Sequence, residues 1–114
     1  YSGSDELVPL LTACHAYFLF FFSITRSGNK RGRKAAAAVP ADRLLIESDA
    51  PDIMPILPAG QQPWSIDEQG KALSEPAYLP LMLQTLAELR GEDPTILAQQ
   101  IHDNARNLFK DSCP

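Results

Sequence analysis

The residues best placed to do chemistry close one short apolar run, Arg43-Leu44-Leu45-Ile46-Glu47-Ser48-Asp49-Ala50-Pro51. A few apolar residues bounded by turn formers predict a strand buried on both faces, as in parallel sheets. Alternation then puts Leu45, Glu47 and Asp49 on one face and Leu44, Ile46 and Ser48 on the other. Asp49 falls at the C-terminal end of that strand, and Pro51 forces the chain out of the sheet just beyond it. Ligands and metals are held at that end of parallel strands. A carboxylate there either serves such a site or caps the following turn or helix.

Little else in the chain offers chemistry. His15 precedes the first expected strand and so belongs at the opposite end of the sheet, and His102 falls on an outer helix. Cys14 and Cys113 lack metal-ligand spacing, and two reduced thiols in the cytoplasm are the default for such a pair. No nucleophilic Ser or Cys arrangement and no phosphate-binding Gly-rich loop is present. Metal-assisted hydrolysis needs several ligands converging on one or two ions. One carboxylate falls short of that.

The wording around Asp49 is more specific than its composition. Val39-Pro40-Ala41-Asp42-Arg43, the apolar residues, and Glu47-Ser48-Asp49-Ala50-Pro51 resemble the last-strand signature of the TatD family of metal-dependent hydrolases, with Ser48 where a Thr is usual. Further matching words follow in order: Pro55, Glu75-Pro76-Ala77-Tyr78-Leu79, Ala87-Glu88-Leu89-Arg90-Gly91, Asn104-Ala105-Arg106 and Leu108-Phe109. Upstream, Tyr1-Ser2-Gly3-Ser4 resembles the residues that follow a metal-binding His in that family. The resemblance spans nearly all of residues 1–114 and implies the C-terminal part of a TIM (β/α)₈ barrel. It implies a deoxyribonuclease that cleaves DNA phosphodiester bonds with water activated by a divalent metal (magnesium, manganese or zinc). Asp49 would bind the metal and position or deprotonate that water. Glu47 is a supporting or structural carboxylate, and Asn104 ties down backbone without chemistry.

The elements that must position Asp49 are few. The chain has 114 residues, 45% of them hydrophobic and 21% charged, with a formal net charge of −4. This is the composition of a soluble globular domain, and a barrel needs roughly 250 residues. Only two good strands are legible, so an incomplete barrel is expected: an α/β unit of about two parallel strands with flanking helices. Such a piece lacks most metal ligands and is expected to be inactive alone. The alternative is a non-catalytic truncated relative that acts by binding, with self-association through exposed strand edges. The acidic total argues against a surface that grips nucleic acid by bulk electrostatics. The chain opens on Tyr1 without a Met or a signal peptide, and a cytoplasmic location is expected.

Ser4-Asp5-Glu6 predicts an N-cap for a short helix reaching about Cys14, with Leu7, Leu10 and Leu11 on one side. Ala16 to Ile24 predicts the other strand, and nine residues are too few to span a bilayer as a helix, which takes about 20. Leu19, Phe21 and Phe22 stand where the family carries small or hydroxyl residues, which either fills the mouth of the site or marks drift. Arg26, Lys30, Arg31, Arg33 and Lys34 are half of the ten basic residues. They read as a solvated helix start, or as a cationic rim beside Asp49 that meets a phosphate backbone. A helix through Ala38 completes a βαβ unit. Residues 52–73 form a long loop over the strand ends, with Trp64, the single Trp, anchoring it or stacking on a base. Ser74-Glu75-Pro76 opens an amphipathic helix with a Leu79, Met82, Leu83, Leu86, Leu89 stripe that Gly91 stops. Asp93-Pro94 caps another, carrying Ile96, Leu97 and Ile101, with a break expected at Asp103-Asn104.

Overall fold

The computed structural model of the chain describes residues 1–48 and 50–110. Two three-residue strands, β1 (Phe18–Phe20) and β2 (Leu44–Ile46), pair in parallel with Phe18 opposite Leu44 and Phe20 opposite Ile46. Helix α2 (Lys30–Ala38) connects them, so residues 18–46 form the expected βαβ unit. Helix α1 (Val8–Ala13) precedes β1, while α3 (Leu79–Arg90) and α4 (Pro94–Phe109) follow the long loop. Both α3 and α4 pack against β2, and α2 lies against α3. The result is an open α/β sheet flanked by helices.

The first strand is shorter than its sequence predicts. Phe18 and Phe20 are buried and Leu19 faces outward, the alternation of a strand with one covered face. From Phe22 the chain tightens into a 3-10 turn ending at Thr25. The Thr25 hydroxyl closes that turn by donating to Phe22 O at 2.7 Å, an option a strand ladder does not offer. Phe22 goes into the core edge-on to Tyr78, with ring centroids 6.5 Å apart.

Helix α1 also departs from expectation. Residues Asp5–Leu7 form a 3-10 turn before it, and the Ser4 side chain makes no capping hydrogen bond. Val8 is the buried residue, whereas Leu7 and Leu10 are exposed. The tighter turn rotates the inward face, so Val8 and the partly buried Leu11 make the apolar contact in place of Leu7 and Leu10.

The C-terminal helices follow their signals closely. Met82 and Leu86 of α3 are fully buried with Leu79 and Leu83 packed beside them. Gly91 ends α3 in the left-handed region at φ 65°, where a side chain would be strained. The Asp93 carboxylate caps α4 by accepting from Thr95 N (2.9 Å) and Ile96 N (3.1 Å). Asp93→Ala is expected to cost about 1 kcal/mol in chemical denaturation. The expected break at Asp103-Asn104 is absent, and α4 runs unbroken from Pro94 to Phe109. Leu97, Ile101 and Asn104 share its buried face, while Ile96 is exposed. Asn104 is satisfied across that face, so it need not interrupt the helix to find partners. No described helix is long and apolar enough to cross a membrane.

Candidate functional site

The site region is the C-terminal end of the parallel pair, where β1, β2 and the long loop meet. Pairing continues one residue past β2, since Glu47 N–H donates to Phe20 O at 2.9 Å. Leu44 and Leu45 are buried, and Glu47 and Ser48 are half-buried. Asp49, the expected metal ligand and catalytic residue, lies outside the described residues. The chain continues through a cis Ala50–Pro51 peptide bond.

The loop starts and ends at this point. Ser74 N–H donates to Pro51 O at 2.9 Å, which returns residues 52–73 to the exit of β2. Two further bonds tie the loop to the turn after β1. Ile56 N–H donates to Thr25 Oγ1 (2.9 Å), and Arg26 Nη2 donates to Met54 O (3.3 Å). The loop therefore lies over the strand exits, where its position after β2 predicts it.

The basic stretch does not act as one surface. Asn29 caps α2, its side-chain oxygen accepting from Gly32 N at 3.1 Å. Arg33 turns back onto the turn after β1, giving Nε to Ile24 O and Arg26 O (3.0 Å each) and Nη2 to Thr25 O (3.1 Å). It is a clamp on backbone that the sequence reading missed. Lys34 points toward Asp5 at 3.8 Å, while Lys30 and Arg31 are exposed. Of the five, Arg26 is the one bonded to the loop at the strand exits. A cleft of about 470 Å³ opens beside Arg33, bounded by Ile56, Leu57 and Pro58 and by Gln84, Thr85 and Glu88 of α3.

Trp64 does anchor the loop. Its indole stacks on the Tyr78 ring with centroids 4.5 Å apart and planes at 10°, and its N–H on the main chain donates to Tyr78 Oη at 2.9 Å. Tyr78 is wholly buried, a keystone that the Glu75–Leu79 motif contained but that single-sequence patterning did not single out.

The histidines stay apart. His15 is exposed at the entry end of β1, and His102 is exposed on α4. Among the described residues no three His, Cys, Asp or Glu side chains cluster to hold a metal ion. The donor set of these residues does not by itself fit a divalent metal. Cys14 is exposed, and Cys113 lies outside the described residues.

Comparison with known proteins is consistent in one direction. A family profile described as "TatD related DNase" matches residues 1–110. The "3'-5' ssDNA/RNA exonuclease TatD" of Pectobacterium carotovorum subsp. carotovorum (strain PC1) is 43% identical over 72 residues, covering 63% of this chain and 25% of that protein. The protein of the same name from Erwinia billingiae is 41% identical over 78 residues, covering 68% and 27%. The crystal structure of YJJV, a TatD homologue from Escherichia coli K12, superposes with a TM-score of 0.77 at 25% identity. That match covers 96% of this chain and 38% of the other. The chain thus spans about a quarter of the length of the curated relatives it matches.

Proposed function

The chain belongs to the TatD-related DNase family, and from that premise we propose that it is the C-terminal portion of a barrel hydrolase that cleaves DNA phosphodiester bonds. The family match across residues 1–110 carries the reading. Its relatives are named as 3'-5' exonucleases on single-stranded DNA and RNA, which makes single-stranded nucleic acid the favoured substrate class. In this reading Asp49 contributes one ligand to a site for magnesium, manganese or zinc, and residues outside this chain supply the others. The chain spans about a quarter of the length of those relatives, and on that ground the 114-residue chain is proposed to lack activity alone. Its own contribution is to hold the strand exit and its covering loop in place through the Thr25, Arg26 and Ser74 bonds.

An end-labelled single-stranded oligonucleotide, incubated with each metal in turn, tests this. The isolated chain is expected to leave it intact, and a longer native protein containing these residues is expected to degrade it. Asp49→Asn should abolish that degradation without lowering the melting temperature. A longer protein that spares the oligonucleotide with all three metals would sink the nuclease reading. Robust cleavage by the 114 residues alone would sink the assignment of the missing ligands elsewhere.

The two-stranded open sheet favours a second reading, a chain that works by binding. Unpaired strand edges invite pairing with another chain or with a second copy. Light scattering decides this one: a stable monomer across the micromolar range removes self-association.

A further inference from the structure

We propose that the outer face of Trp64 is a stacking platform for a nucleobase of a single-stranded nucleic acid. The proposal rests on the nuclease reading for the class of ligand and on the loop geometry for the site. Trp64 is 58% exposed although its indole is stacked on Tyr78, so one ring face is covered and the other meets solvent. A Trp serving only to pin a loop gains most by burying both faces. This one is held still with half its apolar surface in water.

The mounting is rigid. Tyr78 is fully buried and packs T-shaped against Phe22 in the core, while its Oη accepts from Trp64 N. On the other side, Ser65 Oγ donates to Glu75 Oε1 at 2.7 Å and Ser65 O accepts from Leu73 N at 2.9 Å. Binding a planar ligand there orders little that is not already ordered, which favours affinity. The Ser65–Glu75 bond holds the residue after Trp64 to the segment whose Ser74 returns to Pro51, two residues past Asp49 in the sequence.

Charge narrows the occupant. Asp67, Glu68 and Glu75 surround this part of the loop against Lys71, and the Asp67 carboxylate is occupied by the N–H groups of Gln69 (2.9 Å) and Lys71 (2.8 Å). These acidic groups give a phosphate backbone no purchase, so the contact offered here is the ring face alone and the platform is a weak one without a cationic groove beside it. Every base presents a π face, so the platform is tolerant of sequence. The exposed Ile66 adds apolar surface two residues away.

The single Trp makes the test direct. The 114-residue chain is titrated at physiological ionic strength, which screens repulsion between its acidic groups and phosphate, with a short oligothymidylate and with an abasic deoxyribose-phosphate strand of the same length. Indole emission is followed, and anisotropy of the labelled strand is read in parallel. Emission is expected to fall with oligothymidylate and not with the abasic strand. By anisotropy, Trp64→Ala should weaken binding at least about five-fold, and Trp64→Phe should restore most of it. A strand that binds with unchanged emission, equal binding by Trp64→Ala, or no binding at all would each overturn the platform. None of these touches the nuclease reading, which stands or falls on cleavage by the longer protein. Base-dependent quenching with no cleavage there would do the reverse.

Discussion

Replacing Asn104 with Ala is expected to cost about 3 kcal/mol of stability, somewhat more than about a hundred-fold in the folding equilibrium. The side chain is 1% exposed and makes three hydrogen bonds, using both of its donors. Its two N–H groups donate to Ala41 O (2.7 Å) and Leu44 O (2.8 Å), and its oxygen accepts from Gln100 Nε2 (2.8 Å). Truncation leaves the carbonyls of Ala41, in the turn before β2, and of Leu44, the first residue of β2, without this donor, and each orphaned buried group costs about 1–3 kcal/mol. The contact spans 60 residues of sequence, so its loss also detaches α4 from the strand that carries the candidate site. Chemical denaturation reads the change as a shifted midpoint at constant slope. Asn104→Asp is the sharper variant, because it keeps the shape and exchanges donors for acceptors facing two carbonyls. If Asn104→Asp at neutral pH unfolds at the wild-type midpoint, the donor role assigned to Asn104 is wrong.

Arg90→Met is expected to cost about 2–4 kcal/mol, since hydrogen bonds from a charged donor contribute about 1.5–3 kcal/mol each and do not add fully. Arg90 Nη1 donates to Ala36 O (2.8 Å) and Val39 O (2.5 Å), and Nε donates to Glu92 Oε1 (3.0 Å). Its side chain is 6% exposed, so solvent does not replace these bonds. Ala36 lies in the last turn of α2, where carbonyls have no partner within the helix. Met retains the buried stem and removes the donors, which isolates their contribution from packing. Arg90→Lys, with a point charge in place of a planar fork, should recover only part of the loss. Amide exchange adds a local readout: protection in α2 should fall further in Arg90→Met than protection in α4. Equal loss in both helices would point to a general packing defect instead.

Asn104 and Arg90 also show where reading the sequence succeeds and where it stops. Asn104 is legible as a backbone tie because a buried-face amide in an amphipathic pattern must find partners. Its partners at Ala41 and Leu44 are not legible, and Asp103-Asn104 reads locally as a break because both residue types favour turns. Arg90, Arg33 and Tyr78 carry contacts to residues 7 to 54 positions away, and no local periodicity encodes those. The basic stretch has the same lesson: five cations in nine residues read as one patch, yet the turn after β1 sends Arg26, Arg33 and Lys34 to three different surroundings.

By itself the sequence determined the family, the βαβ order, the caps at Asp93 and Gly91, and the position of the loop after β2. These follow from local chemistry: turn formers at fixed offsets, apolar period, and an ordered set of motif words. Tertiary structure alone decided that the Phe-rich segment ends as a strand at Phe20, that α4 continues through Asn104, and that Trp64 covers one face and offers the other. Those outcomes depend on which distant carbonyls, hydroxyls and rings come within hydrogen-bond or stacking range once the helices pack on the sheet. Such distances exist only in the folded chain.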